Sequence, residues 1–153
     1  MTDLEFREIR VADIEALFDV RASTRQNPLS RANLSHLGIT PDTTASALRS
    51  GALVGSVCTC NGRVVGFCSA DPHTGEVLVL AVLPDFEGRG IGKHLLALVV
   101  AHLQNAGRTR VWLAAAADPA IRAHGFYRAL GWRPTGECTD YGDEILELHA
   151  EIP

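Results

Sequence analysis

Gly88, Gly90 and Gly92 stand at alternate positions between an unbroken apolar run, Val77 to Leu83, and a helical pattern that continues to Gly107. A strand, a glycine turn and a helix start together make an anion site. The first N–H groups of a helix have no internal partner, and the helix dipole puts about half a positive charge there. Glycines let an anion approach the backbone without meeting a Cβ. Arg89 and Lys93 add charge of the same sense, where an empty helix favours acids. Glu87 opposes it. The plainer alternative is a surface turn whose glycines only fit the backbone.

Two familiar phosphate loops are excluded. A Walker A loop needs Gly at the position of Glu87 and Ser or Thr at that of His94. The dinucleotide fingerprint needs Gly where Lys93 stands and an acid about twenty residues on, yet no carboxylate lies between Glu87 and Asp118.

The segment Val82-Leu83-Pro84-Asp85-Phe86-Glu87-Gly88-Arg89-Gly90-Ile91-Gly92 resembles the acyl-CoA-binding motif of the GNAT N-acetyltransferase family. Gly90 and Gly92 match, whereas Glu87 occupies the family's Arg/Gln position. Ala123-His124-Gly125-Phe126-Tyr127-Arg128-Ala129-Leu130-Gly131-Trp132 is similar to the family's second motif, with Ala120 where an Asn often stands. The resemblance implies an α/β (α+β) fold: a mixed, mostly antiparallel sheet with helices on both faces and strands four and five parallel at the acyl-CoA site. It also implies an N-acetyltransferase moving the acetyl group of acetyl-CoA directly to an amine. Acetyl-CoA would then lie against Leu80, Ala81, Val82, Glu87, Gly88, Arg89, Gly90, Ile91, Gly92 and Lys93, the strand offering its backbone to the pantetheine amides as in β-augmentation. Two other readings stay open: a CoA-binding regulatory module without turnover, and transfer from a longer acyl-CoA.

By the same resemblance Tyr127 gives a proton to the departing CoA thiolate. A phenol with a pKa near 10 is protonated at neutral pH and suits that task. The amine needs a base, since an alkylammonium lies roughly three units, about 4 kcal/mol, from its reactive neutral form at pH 7. Glu76 opens the apolar strand, where the histone-acetylating branch of the family carries its glutamate. A carboxylate entering an apolar strand has its pKa raised, as a base at neutral pH requires; a solvated strand-end residue after Gly75 is the alternative. Asp71, His73 and Asp143 are rivals. Arg25, Asn27 and Ser30 fall where the family borders its acceptor pocket, and a solvated loop is the alternative there.

These residues need elements to position them. Leu4–Arg10 reads as a strand with Leu4, Phe6 and Ile9 inward. Asp13 caps a helix from Ile14 to Ala22. A polar loop broken by Pro28 leads to a short helix through Asn33 and Leu37, and Thr40-Pro41-Asp42 starts another running to Arg49. Ala52–Cys60 and Arg63–Ala70 flank Asn61-Gly62, the strongest short hairpin signal; a turn from Asp71 to Gly75 then leads into the apolar strand, completing an antiparallel meander. The long helix carries Leu95, Leu98, Val99 and Leu103 as its stripe. It forms the crossover to a fifth strand, Arg110–Ala115, leaving strands four and five parallel with ligands at their carboxyl ends. Asp118 caps a helix from Pro119 to Leu130. A last hairpin joins Trp132–Glu137 to Glu144–His149. Glu137, Asp140, Asp143 and Glu144 read as its solvated acids or as an attraction for a cation.

The chain's 153 residues suit one domain, 1–153. A net charge of −4 without a basic block argues against nucleic acid. The four cysteines, Cys58, Cys60, Cys68 and Cys138, have no zinc spacing and read as buried reduced thiols, so neither metal nor disulfide is expected. Acidic residues near the start and no span-length apolar run point to a cytoplasmic protein without signal peptide or membrane segment. Pairing of the final strands between chains makes a homodimer conceivable.

Overall fold

The computed structural model describes residues 3–24, 29–115, 117, 120–140 and 142–149. Among the described residues seven strands form one sheet: β1 (Leu4–Glu8), β2 (Val54–Cys60), β3 (Arg63–Asp71), β4 (Glu76–Val82), β5 (Arg110–Ala115), β6 (Arg133–Cys138) and β7 (Glu144–His149). Their spatial order is β1-β2-β3-β4-β5-β7-β6, with every neighbouring pair antiparallel except β4–β5. The helices are α1 (Ile14–Ser23), α2 (Arg31–His36), α3 (Pro41–Ser50), α4 (Ile91–Asn105) and α5 (Arg122–Ala129). The mixed sheet, the meander and the parallel fourth and fifth strands are as the sequence implies.

One face of the sheet packs on α4 and α5. Its cluster joins Leu95, Val99 and Leu103 to Cys58, Val65, Cys68, Val77, Val111, Leu113 and Leu146, with Phe126 and Tyr127 against it. The other face receives Leu17 and Val20 of α1 on Val57, Phe67 and Ala81. Ile14 and Phe18 turn outward to Leu34, Leu29 and Leu48, attaching α2 and α3. Among the described residues no helix is long and apolar enough to cross a membrane.

Several local expectations are corrected. Leu98 is 37% exposed and leaves the α4 stripe; Leu96 and Val100 are buried instead, flanking the line of Leu95, Val99 and Leu103. Asp13 does not cap α1. Its carboxylate accepts from the Arg10 N–H (2.7 Å) and from both Arg7 terminal nitrogens (2.8 and 2.9 Å), pinning the turn before α1 to β1. α5 begins at Arg122 behind Ile121, which supplies no capping side chain; Asp118 and Pro119 lie outside the described residues. Cys138 is exposed, unlike the other three cysteines, because β6 is an edge strand. All four thiols are free.

A bulge governs which way β4 faces. Ser69 pairs with Val79 and Ala70 with Val77, so Leu78 is the extra residue. Val77 therefore shares the α4 face with Leu80 and Val82, while Val79 and Ala81 face α1. Leu78 itself is 47% exposed, so β4 is not buried on both faces throughout.

Candidate active site: a gap in the sheet

β4 is paired with β3 along its length, yet meets β5 at one position, Glu76 opposite Trp112. The Trp112 N–H donates to the Gly75 carbonyl at 3.1 Å, and beyond that point the two parallel strands carry no ladder. Gly75 makes this close approach feasible: its φ is +80°, and a Cβ there would run into the Arg110 carbonyl. The Leu83 N–H donates to the Val65 carbonyl (2.9 Å), which makes Leu83–Val65 a bonded pair. In an antiparallel ladder bonded and unbonded pairs alternate. Leu80 and Val82 therefore turn their N–H and C=O groups away from β3 and into the gap. Ala81 turns its own toward β3, and its side chain is buried under α1.

The glycine turn closes the carboxyl end of this gap. Gly88 and Gly90 have φ of +77° and +80°, and a Cβ on either would point into open space. Among the described residues no protein oxygen accepts from the N–H groups of Gly88 through Lys93, and the α4 cap residue, Gly90, offers no side chain. Gly92 lies against Phe126, Leu80 and Val82, with a Cβ there 3.6 Å from the Phe126 ring, so helix start, gap and α5 meet at this residue. Arg89 stacks over Phe86 (4.9 Å to the ring centre) and donates to the Asp85 carbonyl, which holds its charge beside the turn. Ile91 is buried and anchors α4; Lys93 is exposed. Glu87, half-buried, precedes the glycines. The cradle suits an anion: donors without acceptors, flanked by two cations.

Tyr127 lies on the α4–α5 side, its ring edge-on to Phe126 and Trp132 (5.2 and 5.9 Å). Burial, with a smaller contribution from the nearby Cys68 thiol, raises its pKa well above the usual phenol value. Cys68 is opposite Leu80, which sets the phenol beside the middle of β4. Glu76 lies on the other face, by alternation from Val77. A cross-strand row runs there through Asp71, Glu76, Trp112 and Glu147. Burial first, and then the Asp71 charge, push the Glu76 carboxyl up from its ordinary value. The Asp71 carboxylate accepts from the His73 and Thr74 N–H groups (2.8 and 3.4 Å), so it is fixed in the turn. The Trp112 indole N–H donates to the Thr74 carbonyl (3.1 Å), and Arg110 covers its ring while pairing with Glu147 (2.8 Å).

The structure thus brings Leu80, Val82, the glycine turn, Tyr127 and Glu76 around one gap. Ser30 is not among them as a free group: its hydroxyl accepts from the Asn33 N–H (3.1 Å) and caps α2. Arg25 and Asn27 lie outside the described residues. Of the rival bases, Asp71 neighbours Glu76, His73 is exposed in the turn, and Asp143 belongs to the β6–β7 hairpin. Sequence reasoning does not single out Trp112, because only the β4–β5 register puts it beside Glu76. Nor does it foresee Glu144 leaving the solvated acids to meet Arg128 at 2.6 Å. Among the described residues no group of His, Cys, Asp and Glu is disposed to hold a metal. A separate cleft of about 430 Å³ lies at the β1 edge between α3 and α4, lined by Ile9, Leu48, Leu53, Leu98 and His102, away from the gap.

Comparison with known proteins places the fold and the family. The fold matches the PaiA N-acetyltransferase of Thermoplasma acidophilum in complex with coenzyme A (TM-score 0.80, 19% identity, 97% of this chain and 99% of that one). It also matches the ribosomal-protein-S18-alanine N-acetyltransferase of Escherichia coli (TM-score 0.73, 22% identity, 99% and 96%). A mycothiol acetyltransferase of Cellulomonas flavigena is 36% identical over 98 residues, 63% of this chain and 28% of that longer protein. The model of the acetyltransferase (GNAT) family matches residues 11–132. The chain therefore belongs to the GNAT family of acetyltransferases.

Proposed function

We propose that this protein transfers the acetyl group of acetyl-CoA to the amine of a small molecule or peptide, by direct attack on the thioester. The observation that carries this reading is the open edge of β4 leading into a turn of unbonded N–H groups. The turn and α4 start would take the diphosphate, and the Leu80 and Val82 backbones would take the pantetheine amides. Such a thread fills the gap and brings the thioester between the two faces of the sheet.

Each face then has a proton task. On one, Glu76 takes a proton from the acceptor ammonium; its raised pKa brings it closer to that of the group it must deprotonate. On the other, Tyr127 gives its proton to sulfur as the C–S bond breaks, while the amine nitrogen bonds to the acetyl carbon. Burial keeps the phenol protonated but makes it a weaker acid. It also disfavours the thiolate, which therefore accepts the proton more readily. The acceptor approaches from the face of Asp71, Glu76 and Trp112, where two neighbouring carboxylates favour a cation. With acetyl-CoA as its donor, the protein works in the cytoplasm.

An acceptor screen that reads free CoA thiol tests the proposal: an amine-dependent release is expected. Glu87, standing where the family has Arg or Gln, favours a second reading as a CoA-binding module without turnover. Calorimetric CoA binding with no thiol release from any amine would favour that second reading. Competition between acetyl-, propionyl- and succinyl-CoA separates the acyl-chain alternatives.

A further inference from the structure

The face that β5 and β7 turn toward α4 and α5 is apolar, Val111, Leu113, Ala115, Leu146 and Leu148, up to a single change at its end. There, opposite Ala115, β7 presents Glu144. Its side chain is only 15% exposed, and Oε1 is shielded from solvent. A carboxylate in such a row is costly unless a charge answers it. Arg128 of α5 does so, with Nη1 2.6 Å from Oε1. The same Nη1 donates to the His124 carbonyl at 3.1 Å, and Oε1 has no aligned donor, so the contact is ionic. The guanidinium holds the Glu144 carboxyl below its ordinary range, and His124 Nε2 stands 3.9 Å away.

α5 needs such a tie. It has eight residues, no capping side chain, and Gly125 in its interior. An isolated helix of that length is not stable in water, and an interior glycine weakens it further. Phe126, Tyr127 and Leu130 give it apolar contacts, and the Arg128–Glu144 pair adds a charged one in its last turn. Tyr127 directly precedes Arg128, so fixing the arginine fixes the direction of the phenol.

We infer that Glu144 is a positioning residue for Tyr127: through Arg128 it locks α5 on the sheet with the phenol turned to the middle of β4. The inference rests on the reading of Tyr127 as the acid, and it adds a second residue, on β7 one strand beyond the gap's β5 wall, to that role. A displacement on the order of 1 Å costs about a hundredfold in rate, so the loss expected on untying the helix is large although Glu144 acts only through Arg128.

The test combines Glu144→Gln, Arg128→Met and Tyr127→Phe with their doubles. Glu144→Gln is expected to lower kcat by about 10- to 100-fold and to leave the KM for acetyl-CoA nearly unchanged. The Glu144→Gln/Tyr127→Phe double is expected to be no slower than Tyr127→Phe alone, and Arg128→Met to reproduce Glu144→Gln. A kcat that survives Glu144→Gln, with only the melting temperature lowered, overturns the inference. So do losses that multiply in the double. A silent Tyr127→Phe would instead sink the acid role. In that event the emission of Trp132, which packs edge-on to Tyr127, decides the clamp. Read in a Trp112→Phe background, a shift on Glu144→Gln supports it and an unchanged spectrum refutes it.

Discussion

The two edges of β4 have opposite fates. Toward β3 the strand is bonded from Glu76 to Val82, interrupted only by the bulge at Leu78. Toward β5 it is bonded at Glu76 and then abandoned. The same strand is thus bonded on one side and, among the described residues, leaves the polar groups of Leu80 and Val82 unpaired on the other. Buried N–H and C=O groups without partners are disfavoured by about 1–3 kcal/mol each. A fold that leaves such an edge open next to an anion cradle is stable with a ligand there to complete it. The closed edge organises the sheet, and the open edge is the candidate site.

The largest effect that would sharpen this contrast belongs to Tyr127. Tyr127→Phe is expected to lower turnover by about 10²–10⁴-fold with little change in acetyl-CoA affinity, measured as thiol release at saturating donor. An unaffected rate would remove the phenol from the chemistry.

Next come two glycines at opposite ends of the gap. Gly75→Ala forces a side chain into the left-handed region and against the Arg110 carbonyl, and is expected to cost at least about 1–2 kcal/mol in urea unfolding. Gly92→Ala meets only ordinary contacts, so stability should move by less than about 0.5 kcal/mol while acetyl-CoA affinity falls in calorimetry. If Gly92→Ala unfolds the protein as readily as Gly75→Ala, the division between structural and ligand-facing glycines is wrong.

Hydrogen exchange reads the two edges directly. The amides of Leu80 and Val82 should exchange quickly without CoA and slow on its addition, whereas Ala81, facing β3, should be protected in both states. Equal protection at all three would close the gap.

The smallest expected effect is a pH shift. Burial and then the Asp71 charge raise the Glu76 pKa, so the acid limb of kcat/KM should lie above the usual glutamate value. Asp71→Asn removes a like charge, which favours the ionised Glu76 and should move that limb to lower pH. A limb that stays put would mean another group sets it. For stability the sign is opposite to that of a paired acid: a raised carboxyl pKa stabilises the fold at low pH, and that contribution is lost as pH climbs through the folded value.

Much of the site was legible because it is local. The glycine turn, the strand before it and the helix after it are contiguous, and a loop's φ angles and a helix's free N–H groups follow from neighbouring residues. The meander was legible for the same reason, through Asn61-Gly62 and the turn at Gly75. Leu98 was misjudged because a leucine three residues from Leu95 fits a helical stripe equally well; only the sheet decides which flank is covered. Asp13 was misjudged because its capping type is local while its partner, Arg7, arrives from β1.

By itself, then, the sequence determined a mixed α/β chain with a glycine turn at the head of its long helix, together with two motifs shared with one acetyltransferase family. The tertiary structure decided the rest: that β4 and β5 part after one pair, that the bulge at Leu78 puts Glu76 and Tyr127 on opposite faces of the gap, and that Glu144 reaches α5. Those are matters of register and long-range charge. One residue of slip in a strand reverses every side chain, and nothing local in the chain specifies the slip.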